Sequence, residues 1–302
     1  MKIIFMGTPD YASAILQKII NTPDMQVVAV YTQPDKPVGR KKIITPPPVK
    51  VLACENNIEV YQPTRLRDEE TVNELLKIDC DYIIVAAYGQ ILPKSILDHA
   101  PCINLHASIL PQYRGASPIQ QSLLNGDEKT GVTAMHMDEG LDTGDIIKIS
   151  EIDIDKDELV ESLFDRLTKV AAELTIDVLQ NYNAYVQNPQ NSLDATHCKK
   201  ILKADGEVLF DDAKSIYDKY RAFYNWPGVF TASGLKLKEI ALESKEGTYR
   251  PGEILTIDKE SIVVGCDRGK LRIFRVQPVS KNEMDIASYI NGKRLNVADT
   301  LF

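Results

Sequence analysis

Asn104 and His106, with the loop Ala107-Ser108-Ile109-Leu110-Pro111-Gln112-Tyr113-Arg114-Gly115 behind them, form the stretch of this chain richest in usable chemistry. They stand two apart at the end of the apolar run Cys102–Leu105. On a strand that spacing gives both one face and leaves Leu105 the other. An asparagine amide donates to a developing oxyanion, and an imidazole moves a proton near neutral pH. A histidine satisfied by backbone, beside an asparagine that merely ends a strand, accounts for the spacing equally well. A second candidate follows the run Gly131–Met137: Asp138-Glu139-Gly140-Leu141-Asp142-Thr143-Gly144-Asp145. Asp and Gly at that density usually make turns, and the alternating ligands and closing glutamate of a calcium loop are missing. A carboxylate on a neighbouring strand end would nevertheless be placed to orient His106.

The third candidate is Gln33–Lys50, where five basic residues face one acid and three consecutive prolines stiffen one end. Charge runs are mostly solvated surface. A basic arm hinged at Gly39 would also suit contact with phosphates.

The elements that must position these residues are readable. Lys2–Met6, Val27–Tyr31, Tyr82–Ala86, Cys102–Leu105 and Gly131–Met137 are short apolar runs separated by helix-period segments. That alternation predicts a doubly wound, mostly parallel sheet of Rossmann-like α/β type. Ligands of such sheets bind at the carboxyl ends of the strands, where Asn104 and His106 fall. Leu159, Leu163, Leu167, Val170, Leu174 and Val178 predict one long helix over 158–182. The Asn-, Gln- and Pro-rich stretch after it has no apolar period and reads as a linker. Beyond it, a helix near 212–224 precedes five short strands broken by Gly and Pro, the pattern of a small β-barrel. In it Leu235 and Leu237 alternate with Lys236 and Lys238.

The chain has 302 residues, 44% hydrophobic and 26% charged, enough for about two packed domains. It lacks the long apolar run of a membrane span. The 35 basic and 43 acidic residues give a net charge of −8, so bulk charge would not hold a nucleic acid. The acid excess lies entirely in residues 1–204, with 20 basic and 28 acidic residues, against 15 of each in 205–302. Five widely spaced cysteines without a CxxC pair read as reduced thiols, not as a disulfide frame or zinc site. Gly7-Thr8-Pro9-Asp10 stands where a dinucleotide fold would carry GxGxxG. One glycine and a proline cannot cradle a pyrophosphate in that way, which disfavours a nicotinamide dehydrogenase.

Taken in order, Gly7-Thr8-Pro9-Asp10, Gln33-Pro34-Asp35-Lys36-Pro37, Ala87–Pro93, Asn104–Gly115, Leu141-Asp142-Thr143-Gly144-Asp145 and Asn225-Trp226-Pro227-Gly228 resemble the methionyl-tRNA formyltransferase family of folate-dependent formyltransferases. The resemblance spans the whole chain. It implies a catalytic domain at 1–180, a linker at 181–204 and an OB-fold-like domain at 205–302. It implies transfer of a formyl group from 10-formyltetrahydrofolate to the amino group of methionine on initiator methionyl-tRNA, by a cytoplasmic monomer without a metal. Carried over by motif, the catalytic residues would be Asn104, His106 and Asp142. Ser108, Ile109, Leu110 and Pro111 would line the folate site, with Tyr88 to Leu92 as a further wall, and Arg40, Lys41 and Lys42 would meet tRNA. Ile109 replaces the commoner leucine, Lys41 stands where the family often has glycine, and Gln112 removes a positive charge often present there. Two other readings share these residues: formyl transfer to a small amine, and a non-catalytic tRNA-binding protein that has kept the fold. The basic loop and the C-terminal third argue against the first, and the Asn, His and Asp trio against the second.

Overall fold

The computed structural model describes residues 1–39 and 41–301. It divides into two compact units, one of residues 1–118, 129–153 and 164–198, the other of 119–128, 154–163 and 199–302.

In the first unit, β1 (Lys2–Gly7) is buried from Ile3 onward, as a strand covered on both faces must be. It feeds α1 (Asp10–Ile20), which buries Tyr11, Ala12, Ile15, Leu16 and Ile19 as one stripe. β2 (Gln26–Tyr31) returns parallel to β1. The antiparallel ribbon β3 (Lys36–Val38) and β4 (Ile43–Thr45), α2 (Pro48–Glu55) and the two-residue strand β5 (Val60–Tyr61) follow. After α3 (Glu69–Leu75) the chain crosses back, and β6 (Tyr82–Ala86) pairs with the other side of β1. α4 (Lys94–Leu97) leads to β7 (Cys102–His106), again parallel. Beyond β8 (Arg114–Gly115) and α5 (Pro118–Asn125), the hairpin of β9 (Lys129–His136) and β10 (Ile146–Asp153) completes the edge antiparallel. The order is β10-β9-β7-β6-β1-β2-β5. Winding reverses between β1 and β6, so the ligand crevice of such a sheet lies beyond their carboxyl ends.

The long helix α6 (Val160–Asn181) buries Leu163, Leu167, Ala171, Leu174 and Val178 at spacings of three and four. The segment after it, within the 181–204 expected as a linker, is fastened along much of its length to the first unit. Residues up to 198 belong to the first unit, and β11 (His197–Cys198) pairs parallel with β8. Lys148 Nζ lies 2.6 Å from the Asp177 carboxylate and 2.8 Å from the Tyr185 hydroxyl, fastening the start of the segment to α6 and β10. Polar and backbone contacts hold it, which is why no apolar period marks it.

In the second unit, α7 (Ala213–Ala222) packs on an antiparallel sheet of β12 (Val229–Phe230), β13 (Lys236–Ser244), β14 (Ile254–Ile257), β15 (Ile262–Gly265) and β16 (Lys270–Gln277), ordered β12-β13-β16-β15-β14. β17 (Met284–Asp285) adds to β16, and α8 (Ile286–Lys293) follows. Three register shifts between β13 and β16 bend the sheet. They also break the alternation begun by Leu235 and Leu237: Ile240 is buried while Glu239 is exposed. Among the described residues no helix is long and apolar enough to cross a membrane.

Candidate active site

The site forms at the carboxyl end of β7. Asn104 and His106 share one face there, and Leu105 is buried on the other, its carbonyl accepting the Tyr11 hydroxyl at 3.2 Å. The loop between β9 and β10 brings Asp142 to the same face across 38 residues of sequence. Asn104 Nδ2 donates to Asp142 Oδ1 at 3.3 Å. His106 Nδ1 lies 3.6 Å from Asp142 Oδ2. The other ring nitrogen, Nε2, sits 2.9 Å from the carbonyl of Tyr113. A carbonyl only accepts, so the hydrogen of that contact is on Nε2. The backbone N–H of Gly115 donates to Asp142 Oδ2 at 2.9 Å, leaving the carboxylate held by three groups. The imidazole is 7% exposed and the aspartate side chain 11%, so these contacts act in a partly dry environment.

Backbone conformation pays for this convergence. Asp142 has φ +54° and Tyr113 φ +59°, both left-handed, a region aspartate tolerates better than most residues. Gly115 has φ +118°, and a Cβ there would lie 2.3 Å from the Cys198 carbonyl. Gly144 meets a similar limit, since its Cβ would fall 2.0 Å from the His136 carbonyl. Only glycine lets the 113–115 turn lie this close to Cys198 and the 142–145 loop this close to the end of β9.

Of the residues tied to the folate site, Ser108 is fully buried and donates its hydroxyl to the Gln112 carbonyl at 2.6 Å. Leu110 is buried too. Its N–H donates to Thr133 Oγ1 at 3.1 Å, and that hydroxyl donates onward to the Ser108 carbonyl at 2.6 Å. Ile109 and Pro111 are half-buried. In the Tyr88 to Leu92 turn, the Tyr88 carbonyl accepts from Thr8 Oγ1 at 3.3 Å and from Gln33 Nε2 at 3.0 Å, tying it to the ends of β1 and β2. Tyr88 and Leu92 face the core, while Ile91 is 82% exposed.

Lys41 and Lys42 lie exposed at the tip of the β3–β4 ribbon, where the Lys42 N–H donates to the Gly39 carbonyl. Arg40 lies outside the described residues. Cys102, two residues before Asn104, is not poised as a nucleophile. Burial pushes the Cys102 thiol up to about 12, and its sulfur faces the carbonyls of Ile96 and Ala100. Among the described residues no cluster of His, Cys, Asp or Glu could hold a metal ion.

Thr133, Gln190, Thr196 and Cys198 also build the site and have no local sequence signal. Thr196 Oγ1 accepts the Tyr113 N–H at 2.9 Å, and its carbonyl accepts the Arg114 N–H at 2.9 Å. The Cys198 thiol donates to the Tyr113 carbonyl at 3.4 Å.

Two family models cover most of the chain: "Formyl transferase" matches residues 1–179, and "Formyl transferase, C-terminal domain" residues 200–294. The methionyl-tRNA formyltransferase of Sulfurimonas denitrificans is 65% identical over 301 residues, and that of Nitratiruptor sp. 54% identical over 304, each covering 100% of both chains. The crystal structure of WlaRD, a sugar 3N-formyl transferase with dTDP and 5-N-formyl-THF, shares the fold at a TM-score of 0.68. It is 20% identical over 93% of this chain and 99% of its own. Full-length identity at this level, on a chain whose Asn, His and Asp converge at one strand end, places it: the chain belongs to the methionyl-tRNA formyltransferase family.

Proposed function

We propose that this chain transfers the formyl group of 10-formyltetrahydrofolate to the α-amino group of methionine on initiator methionyl-tRNA, in the cytoplasm, with Asn104, His106 and Asp142 as its catalytic residues. The observation that carries the residue assignment is their convergence, with His106 Nδ1 3.6 Å from Asp142 and Asn104 3.3 Å from the same carboxylate. The neutral amine attacks the formyl carbon and a C–N bond forms, which pushes the carbonyl electrons onto oxygen. Asn104 has a second amide hydrogen beyond the one given to Asp142, and it donates to that oxyanion together with an N–H on His106 Nδ1, because the Nε2 hydrogen is taken by the Tyr113 carbonyl. Collapse breaks the bond to the folate nitrogen. The proton lost by the attacking nitrogen passes through water held by Asp142 and His106 to the departing nitrogen, so charge and atoms balance.

Ile109 and Pro111, half-buried, and the exposed Ile91 supply apolar wall for the pterin. Ser108 and Leu110, turned inward, act by fixing the loop. Arg40, Lys41 and Lys42 meet the tRNA backbone. The test is one formyl donor offered in parallel to initiator methionyl-tRNA, elongator methionyl-tRNA and a small amino sugar nucleotide. Modification of the initiator alone is expected, and modification of the small amine instead overturns the reading.

A further inference from the structure

We infer that Gln190, in the segment between the two family-model matches, is a positioning residue that holds Asp142 in register for formyl transfer. Its side-chain amide lies between two loops of the site. Gln190 Nε2 donates to the carbonyl of Asp142 at 3.0 Å and to that of Gly144 at 2.7 Å. Its Oε1 accepts from Arg114 Nε at 3.0 Å and from Arg114 Nη2 at 2.7 Å. The orientation of the amide follows from chemistry, because a guanidinium only donates and peptide carbonyls only accept. Arg114 is itself 4% exposed and adjoins Gly115, whose N–H holds Asp142 Oδ2. One side chain thus joins the loop that carries the carboxylate to the turn that fixes its oxygen.

The neighbouring contacts serve the same end. Asn188 and Ile146 exchange backbone hydrogen bonds at 2.9 Å in both directions, pinning the segment to the first residue of β10, four positions after Asp142. Thr196 and Cys198 grip the 113–116 turn from the other side, and the Tyr113 carbonyl so held is the acceptor for His106. Asp142 keeps its left-handed backbone only while its surroundings enforce it. Residues 180–199 belong to neither family match, yet they carry this clamp.

The kinetic arm of the test rests on the formyl-transfer reading. Gln190→Glu keeps the length of the side chain and an acceptor for Arg114, but turns an oxygen toward the carbonyls of Asp142 and Gly144. The expected result is a kcat lower by about 10–100-fold, as for a small misplacement of a catalytic group, with KM for initiator methionyl-tRNA within about two-fold. In an Asp142→Asn background the same change costs less than about three-fold, because Gln190 acts through that carboxylate. Full activity of Gln190→Glu, or equal losses in both backgrounds, overturns the inference. A readout without turnover separates this from failure of the functional reading. In 15N-labelled protein, Gln190→Glu or Gln190→Met weakens the bond from Gly115 to Asp142 and shifts the Gly115 amide proton upfield. An unmoved Gly115 resonance in a folded variant refutes the clamp whatever substrate the enzyme takes.

Discussion

At the scale of single residues, the chemistry we propose depends on donors aimed at a charge that exists only during the reaction. Asn104 and His106 are held by the protein before substrate arrives, one through Asp142 and the other between Asp142 and the Tyr113 carbonyl. Such preorganisation avoids reorganisation at the moment of transfer. On the proposed mechanism His106→Ala removes one donor and the proton path together, and turnover should fall by on the order of 10²–10³ with KM for the folate little changed. Single-turnover formylation measures this directly, and near-native rates would remove His106 from the mechanism. The thiols make a useful contrast. Cys102 stands on the same strand, two residues before Asn104, but burial disfavours its thiolate. Cys102→Ala should leave the chemical step unchanged.

At the scale of elements, loop closure around the site depends on close backbone approach. Gly115→Ala would drive a methyl group into the Cys198 carbonyl and strain a φ of +118°, at a cost of about 1–3 kcal/mol. Denaturant unfolding should register that loss, and a stability within error of wild type would mean that β8 and β11 separate readily. A second element-scale effect is set by pH. Burial holds the His136 imidazole below its ordinary range, against the opposing pull of Asp145. Above about pH 7.5, a unit over the ordinary imidazole value, the ring is neutral in both folded and unfolded chains and contributes no slope. As pH falls below that value the unfolded chain binds the proton first, so stability drops until the folded ring also titrates. His136→Gln should therefore lose less thermal stability than wild type between about pH 7 and pH 5.5. Equal losses would contradict the burial effect. The sequence made the strands legible wherever an apolar run was long enough to need cover on both faces, as in Tyr82–Ala86. It made Asn104 and His106 legible because strand spacing fixes a shared face. Ile146–Asp153 was not, since this edge strand mixes buried, half-buried and exposed positions without a period of two. Gln190 was not either, because its role is a set of long-range hydrogen bonds to backbone, and nothing within ten residues predicts their partners.

At the scale of the whole molecule, charge must be reconciled with a polyanionic substrate. The protein carries a net charge of −8, and the excess acid lies in the two thirds of the sequence that hold the candidate site. General attraction therefore cannot bring an acceptor stem to Asn104, and local basic structure has to do so. The β3–β4 ribbon fits that need: Lys41 and Lys42 are exposed at its tip, beside the exposed Val38, Ile43 and Ile44. Each lysine that neutralises a phosphate releases counterions, which makes binding salt-dependent in proportion to the contacts made. Replacing both Lys41 and Lys42 by alanine should raise KM for initiator methionyl-tRNA and lower the slope of log KM against log salt by about 1–2. The KM for 10-formyltetrahydrofolate should stay nearly constant, because a small folate displaces few of the counterions that a polyanionic backbone does. A parallel fall in the two affinities would place the lysines in the catalytic pocket. An unchanged salt slope would mean that the ribbon is only solvated and that the RNA backbone is met elsewhere, with Lys236 and Lys238 of the second unit the next pair to replace.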